Sequence, residues 1–236
     1  MTLAAAAADL FGLALTPDQE ALFARYTDEL ATWNVHTNLT AITEPGAVVV
    51  RHYLDSLTLL ASLPDRAGAT VIDVGSGAGF PGVPLRIVRP DLRVTLLEAT
   101  GKKIAFLKHL IDLLGLDGVT FANARAEEAG QDPAHRAHYD VAVARAVARM
   151  PILLEYLLPL VKVGGLAIAM KGTSAHEESA SARRALEILG GRLHAIESFD
   201  LPGVEGAHHL VIVEKIAPTP PLYPRRPGLP TQSPLI

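Results

Sequence analysis

A short apolar run, Thr70-Val71-Ile72-Asp73-Val74, passes without a linker into Gly75-Ser76-Gly77-Ala78-Gly79-Phe80-Pro81-Gly82 and then into the helix-like Val83–Val88. A strand end, a glycine-rich turn and a helix start in that order let backbone approach a ligand closely. Glycine reaches positive φ without strain and has no Cβ to collide with what lies over it. The arrangement suits an open α/β sheet, whose binding crevice lies beyond the carboxyl ends of its strands.

The rest of the chain agrees with such a sheet. From Thr70 onward, short apolar runs alternate with helix-like segments, the βαβ pattern of a parallel sheet covered on both faces. Strands are predicted at Thr70–Val74, Arg93–Glu98, Gly118–Ala122, Asp140–Ala144 and Leu166–Lys171, followed by an antiparallel pair, Leu193–Leu201 and His208–Lys215, turning at Pro202-Gly203: seven in all. Between them, Ile104, Leu107, Ile111 and Leu114 mark one helix, Pro151–Leu158 another and Glu177–Leu189 a third, while a short helix falls between the third and fourth strands.

The first sixty residues read as helices. Thr16-Pro17-Asp18-Gln19 is a capping box with proline at the first helical position, and Leu22, Tyr26, Leu30 and Trp33 follow at helical spacing. A second stripe after Pro45 comprises Val48, Val49, His52, Leu57 and Leu60, interrupted by polar Arg51, Asp55 and Ser56. Residues 1–65 are therefore expected to be a helical addition, 66–216 the main α/β domain and 217–236 a tail. That tail carries seven of the 17 prolines and is expected to be an extended strap or a mobile end, not a helix.

Composition removes whole classes of function. At 236 residues, 49% of them hydrophobic, the chain can bury a sizeable core. It has no cysteine, which excludes disulfides, thiolate metal sites and a cysteine nucleophile, and fits a reducing cytoplasm. No apolar run approaches membrane-spanning length, and Leu3–Leu15 contains Asp9 and lacks a basic start, so neither a membrane span nor a signal peptide is expected. A net charge of −4 disfavours a strongly basic nucleic-acid binder but leaves room for a local basic patch. There is no phosphate-binding G-x-x-x-x-G-K-[ST] loop and no H-E-x-x-H, and Ser76 is not in a nucleophile elbow; no metal site is expected.

What the glycine cluster binds is a choice between two cofactors. Gly77-x-Gly79-x-x-Gly82 formally satisfies a dinucleotide fingerprint, but starts two residues late relative to the strand end. The better register is Asp73-x-Gly75-x-Gly77-x-Gly79, which resembles the first motif of Rossmann-like methyltransferases using S-adenosylmethionine, with the acid holding the loop and the glycines facing the methionine moiety. Glu98 ends the next strand, where a carboxylate accepts ribose hydroxyl protons in either class. On these residues an NAD-dependent oxidoreductase and a non-catalytic ribosome-binding protein remain alternatives.

Several segments together narrow the choice: Trp33-Asn34 with Asn38-Leu39-Thr40-Ala41-Ile42, Arg51-His52-Tyr53-Leu54-Asp55-Ser56-Leu57, Asp73 through Gly82, Leu97-Glu98 with Lys102-Lys103 and Phe106-Leu107. Ala124-Arg125-Ala126-Glu127, Ala144-Arg145-Ala146, Lys171-Gly172 and Tyr223-Pro224-Arg225-Arg226 with Gly228 and Pro230 continue the set. From about residue 30 onward the chain resembles the RsmG (glucose-inhibited division protein B) family, guanine-N7 methyltransferases of bacterial small-subunit ribosomal RNA. The resemblance implies an α/β fold of the Rossmann-like class I S-adenosylmethionine-dependent methyltransferases, with a seven-stranded sheet and an N-terminal helical addition. It implies methylation of one guanine N7, at position 527, in the decoding-region loop of 16S rRNA.

By matched position the resemblance places Asp73, Gly75, Gly77, Gly79, Phe80, Glu98, Ala99, Ala126, Glu127 and Arg145 at the cofactor, with Ala126 and Glu127 beside its adenine. Guanine N7 has a lone pair and no proton, so no general base is expected; Asn38 and Arg145 are positioning candidates, Asn38 equally a helix or turn cap and Arg145 a holder of the methionine carboxylate or a phosphate. RNA contact is expected from Arg51, His52, Lys102, Lys103, Lys108, Lys171, Arg225 and Arg226, each otherwise a solvated charge. Partners are expected to be 16S rRNA in the 30S subunit or an assembly intermediate, with no membrane, and the chain is expected to be a monomer. Two segments depart from the family: Val35-His36-Thr37, where it often carries lysines, and Thr231-Gln232-Ser233-Pro234, which lacks its basic residues. Both thin the expected phosphate contacts.

Overall fold

Alternation along the strands decides the layering, and the computed structural model, which describes residues 2–236, shows it directly. In β4 (Tyr139–Arg145), Val141 and Val143 face one apolar core while Ala142 and Ala144 face another; in β1 (Thr70–Val74), Val71 joins the first core and Ile72 and Val74 the second. A strand buried on both faces reads as a continuous apolar run, as these do. With β2 (Arg93–Leu97), β3 (Val119–Ala122), β5 (Val161–Lys171), β6 (Gly191–Phe199) and β7 (His208–Lys215) they form one sheet of order β3-β2-β1-β4-β5-β7-β6. β1 to β5 run parallel, and β7 is inserted antiparallel between β5 and β6. The seven predicted strands are all present, with ends shifted by a few residues.

The helical lead-in lies on the first core. α1 (Leu3–Phe11) precedes α2 (Pro17–Thr37), whose start carries the predicted capping box: Thr16 Oγ1 accepts from Gln19 N–H and Gln19 Oε1 from Thr16 N–H. Phe23, Tyr26 and Leu30 of α2 are buried in the same core as α5 (Gly82–Val88) and α6 (Gly101–Leu114). The second face is covered by α7 (Ala126–Ala129), α8 (Met150–Leu157), α9 (Ala175–Ala180) and α10 (Arg183–Leu189).

Three expectations are corrected. The stripe after Pro45 starts as α3 (Pro45–Val48) but widens into a π-helical turn over Val49–Leu54 before α4 (Asp55–Leu57) and a 3₁₀ turn, and every residue from His52 to Leu59 is buried. An ordinary 3.6 period would have left Asp55 and Ser56 on a wet face; the wider turn faces them inward, with Ser56 Oγ donating to the His52 carbonyl at 2.6 Å. The helix expected over Glu177–Leu189 is divided into α9 and α10, because Ser179 and Ser181 hydroxyls donate to carbonyls of the preceding turn at Ala175 and Glu178 and compete with the helical ladder. The tail is a strap, but contains one helical turn, α11 (Leu229–Gln232), with Pro230 in its first turn.

At the root of the tail, Lys215 is almost fully buried. Its Nζ donates to the Leu158 carbonyl at 2.6 Å and to the Thr219 hydroxyl, and none of these described partners is a carboxylate. Burial, then repulsion from Arg136, pushes the amine down to about 7. Its ordinary value is roughly 10.4, so as pH falls the unfolded chain takes the proton first; stability from this group rises from about pH 7 to about pH 10 and is lost on the way down. Lys215→Met is expected to flatten that rise in urea unfolding series, and an unchanged slope would contradict the assignment. No helix among the described residues is long and apolar enough to cross a membrane.

Candidate active site

Strand order reverses between β1 and β4, and a cleft opens beyond the carboxyl ends of β1 to β4. Its volume is about 430 Å³, and its walls come from each strand end in turn: Val74 and Gly75, then Leu97, Glu98 and Ala99, then Ala124 to Glu127, then Val147 to Arg149. Ile152 and Tyr156 of α8 and Thr231 of the tail complete it. Of the residues expected at a cofactor, the structure brings Gly75, Glu98, Ala99, Ala126 and Glu127 together here.

Gly75 has φ +73°, and a Cβ there would lie 2.8 Å from Val147 Cγ2, so both conformation and space require glycine. Its N–H donates to the Leu97 carbonyl at 2.8 Å, which fastens the turn to the end of β2. Glu98 is buried and its two oxygens accept from Gly77 N–H at 3.1 Å and Thr100 N–H at 2.8 Å, so the carboxylate is oriented by backbone and retains lone pairs. Glu127 is buried too, with Oε1 accepting from Gly228 N–H at 3.0 Å.

Asp73 works from below. Its Oδ2 accepts from Gly82 N–H at the start of α5 at 2.8 Å, closing the glycine loop. Its Oδ1 is the one buried side-chain polar atom without a hydrogen-bond partner among the described residues. Burial pushes this carboxyl up to about 7 against the opposing pull of Gly82 N–H and Arg145.

Other expected residues lie elsewhere, for identifiable reasons. Gly79, at φ +97°, turns toward the lead-in: a Cβ would meet the Tyr26 hydroxyl at 2.7 Å, so this glycine admits α2 and does not face the cleft. Gly77 is likewise outside the cleft wall, its N–H turned to Glu98. Phe80 does not line the cleft either. It is buried, stacked between Tyr26 at 5.1 Å and His52 at 4.3 Å, with the Arg145 guanidinium 5.1 Å from its ring centre. A lone motif match could not show that this ring belongs to the packing between lead-in and sheet.

Arg145 leaves β4 in the direction of the lead-in, not of the cleft. One guanidinium nitrogen donates to Asp55 Oδ2 at 2.9 Å and to the Arg51 carbonyl at 3.0 Å, and the other meets His52 Nδ1 at 3.1 Å. Asp55, whose other oxygen meets His208 Nδ1 at 3.0 Å, reads in the sequence only as a polar interruption of the stripe after Pro45, and the structure makes it central. Asp55, Arg145 and His208, together with Ala146, Met170, Lys171 and Gly172, line a second pocket of about 250 Å³. His52, expected at RNA, is buried: Nε2 meets Thr40 Oγ1 at 2.8 Å, and burial followed by Arg145 pushes its pKa down to about 4, so it is neutral near pH 7.

Two further cations expected at RNA are committed within the protein. Lys171 Nζ donates to the Ala148 carbonyl at 2.5 Å and Glu178 at 2.8 Å. Arg225 forms a bidentate pair with fully buried Glu155. Arg51, Lys102, Lys108 and Arg226 are exposed and Lys103 is half-buried. Asn38 caps α2 in the left-handed region at φ +50°, while neighbouring Asn34 makes the side-chain bonds, accepting from Leu39 and Thr40 N–H. Arg125 and Arg149, which sequence reasoning did not single out as contact residues, line the cleft. Arg125 was legible only as part of the Ala124–Glu127 segment, and Arg149 carried no signal beyond its spacing from Arg145.

Comparison with known proteins bears on the fold and the family. The chain is similar in fold to a putative methyltransferase from Bacillus halodurans C-125 (TM-score 0.54, 14% identity, covering 70% of this chain and 100% of that one). It is similar also to M. jannaschii TYW2 in complex with AdoMet (TM-score 0.54, 18% identity, 70% and 76% covered). In sequence it is 51% identical over 225 residues to ribosomal RNA small subunit methyltransferase G of Roseiflexus sp. (strain RS-1), covering 95% of each chain. It is 47% identical over 210 residues to the protein of that name in Alkaliphilus metalliredigens (strain QYMF), covering 89% of this chain and 88% of the relative. The family model described as rRNA small subunit methyltransferase G matches residues 19–210, and so the chain with this cleft belongs to the rRNA small subunit methyltransferase G family.

Proposed function

We propose that the chain transfers a methyl group from S-adenosylmethionine to guanine N7 at one position in the decoding-region loop of 16S rRNA. The observation that carries the reading is the cleft at the switch point, where Gly75 and the oriented Glu98 carboxylate stand at the ends of adjacent strands in a chain of this family. The donor set fits an adenosyl group. Glu98 offers acceptor lone pairs to ribose hydroxyls, and the apolar surfaces of Leu97, Ala124, Ala126 and Ile152 suit a flat base.

When bound, S-adenosylmethionine supplies an electrophilic methyl group on a sulfonium. Guanine N7 presents its lone pair without a proton to remove, so the chain's part is alignment and electrostatics, not proton transfer. Methylation leaves the base cationic, and a bare cation beside it would oppose the reaction. Asp55 neutralises Arg145 at 2.9 Å, and the second pocket that both line is the place we assign to the incoming guanine. Exposed Arg51, Lys102, Lys108 and Arg226, with half-buried Lys103, hold the surrounding phosphates in this reading, and Arg125 and Arg149 line the cleft beside them. The helical addition (1–65), the methyltransferase domain (66–216) and the tail (217–236) then act as units, the first carrying Asp55 to the second pocket.

The test is transfer of radiolabelled methyl to 30S subunits and to naked 16S rRNA, both lacking the modification. Label in small-subunit rRNA from either source is expected, and its absence from both, with S-adenosylmethionine still bound, contradicts the substrate assignment.

A further inference from the structure

The proline-rich tail does more than end the chain. It lies across α7 and α8, the two helices flanking the far end of the cleft, and is held to both. On the α7 side, Arg136 donates to four carbonyls, those of Gly130, Thr219, Pro220 and Tyr223, at 2.6 to 3.2 Å. Gln131 donates to the carbonyls of Pro221 and Pro224, and Gly130 lies so close that a Cβ there would sit 2.6 Å from Pro224 Cγ. On the α8 side, Glu155 accepts from the Arg225 backbone and guanidinium at 2.6 to 2.9 Å.

Beyond that fastening the tail reaches the cleft itself. Gly228 N–H donates to Glu127 Oε1, and Thr231 Oγ1 stands 3.4 Å from the Tyr156 hydroxyl. Thr231, Tyr156, Ala126 and Glu127 line the same cavity, and Ala126 and Glu127 follow β3, which lies on the opposite side of β2 from β1 and its Gly75 turn. In an adenosyl group whose ribose sits on Glu98 and whose sulfonium lies toward Gly75, the base projects to this end.

We propose that the tail forms the end wall of the cofactor cleft and that Thr231 is a binding residue contacting the adenine edge. This rests on the S-adenosylmethionine reading above. The Thr231 hydroxyl can donate and accept, so it can serve either a ring nitrogen or an exocyclic amine. Gly228 acts through Glu127, whose carboxylate it orients.

Thr231 is exposed, so substitutions there leave the fold intact. Calorimetric titration with S-adenosylhomocysteine and with 5′-methylthioadenosine, which lacks the amino-acid portion, reads the contact in the full chain. Thr231→Val is expected to weaken both probes by the same factor, about three- to tenfold, the worth of one neutral hydrogen bond. Thr231→Trp, which fills the end of the cleft, is expected to weaken both at least tenfold with an unchanged melting temperature. Unchanged affinity in Thr231→Trp overturns the end wall, and a loss confined to S-adenosylhomocysteine overturns the adenine contact. A wild-type chain that binds neither probe overturns the cofactor reading itself, a different result.

Discussion

Gly75→Val is expected to abolish S-adenosylmethionine binding in a chain that still folds. The new Cβ would stand 2.8 Å from Val147 Cγ2, and the residue would have to hold φ +73°, a conformation in which a β-branched side chain is an outlier. The strain is on the order of 1–3 kcal/mol, small enough for a chain with two apolar cores to survive but concentrated where it matters. Relief comes by pushing Val147 into the cleft or by rotating the turn, which also shifts the Gly77 N–H that orients Glu98. Calorimetry should show affinity reduced at least a hundredfold. Gly75→Ala combined with Val147→Ala, which removes the collision and keeps the strained φ, should regain part of the loss. Normal affinity in Gly75→Val would remove this turn from the binding site.

Arg225→Ala is expected to cost about 3–5 kcal/mol of stability in urea unfolding, because it strands the buried Glu155 carboxylate without its partner. Arg226→Ala, one residue on and exposed, should change stability by less than about 0.5 kcal/mol. RNA binding should separate the pair in the opposite sense. Arg226→Ala lowers affinity and reduces the salt dependence by about one ion, as loss of a phosphate contact does. Neighbouring arginines that read alike in sequence thus divide into a tail latch and an RNA candidate. An Arg225→Ala chain as stable as wild type would contradict the latch.

The sheet was legible because its information is local. Short apolar runs alternating with helix-like segments, the capping box at Thr16 and the glycine cluster each report on their own neighbourhood, and β1 and β7 fall at their predicted bounds. The π-helical turn was not legible, because its apolar and polar residues match an ordinary helix until packing decides which way Asp55 faces. In the site, residues that end or closely follow a strand were legible as neighbours, since chain order fixes where a strand ends: Gly75, Glu98 and, in the helical turn after β3, Ala126 and Glu127 line one cavity. Residues whose position depends on a distant element were not. Phe80, His52 and Arg145 are drawn into contact by α2 and the π-helical turn, and Lys171 and Arg225 find carboxylates 7 and 70 residues away. No spacing rule shows that a charge already has a buried partner.

The most direct test of the central claim is the position and chemistry of the transferred methyl group. Small subunits lacking the modification, methylated by this chain and then cleaved at N7-methylguanine by reduction and aniline scission, are expected to break at one guanine in the decoding-region loop. Label that resists this cleavage, or that maps to another base or another loop, would contradict the assignment of guanine N7 as the methylated atom.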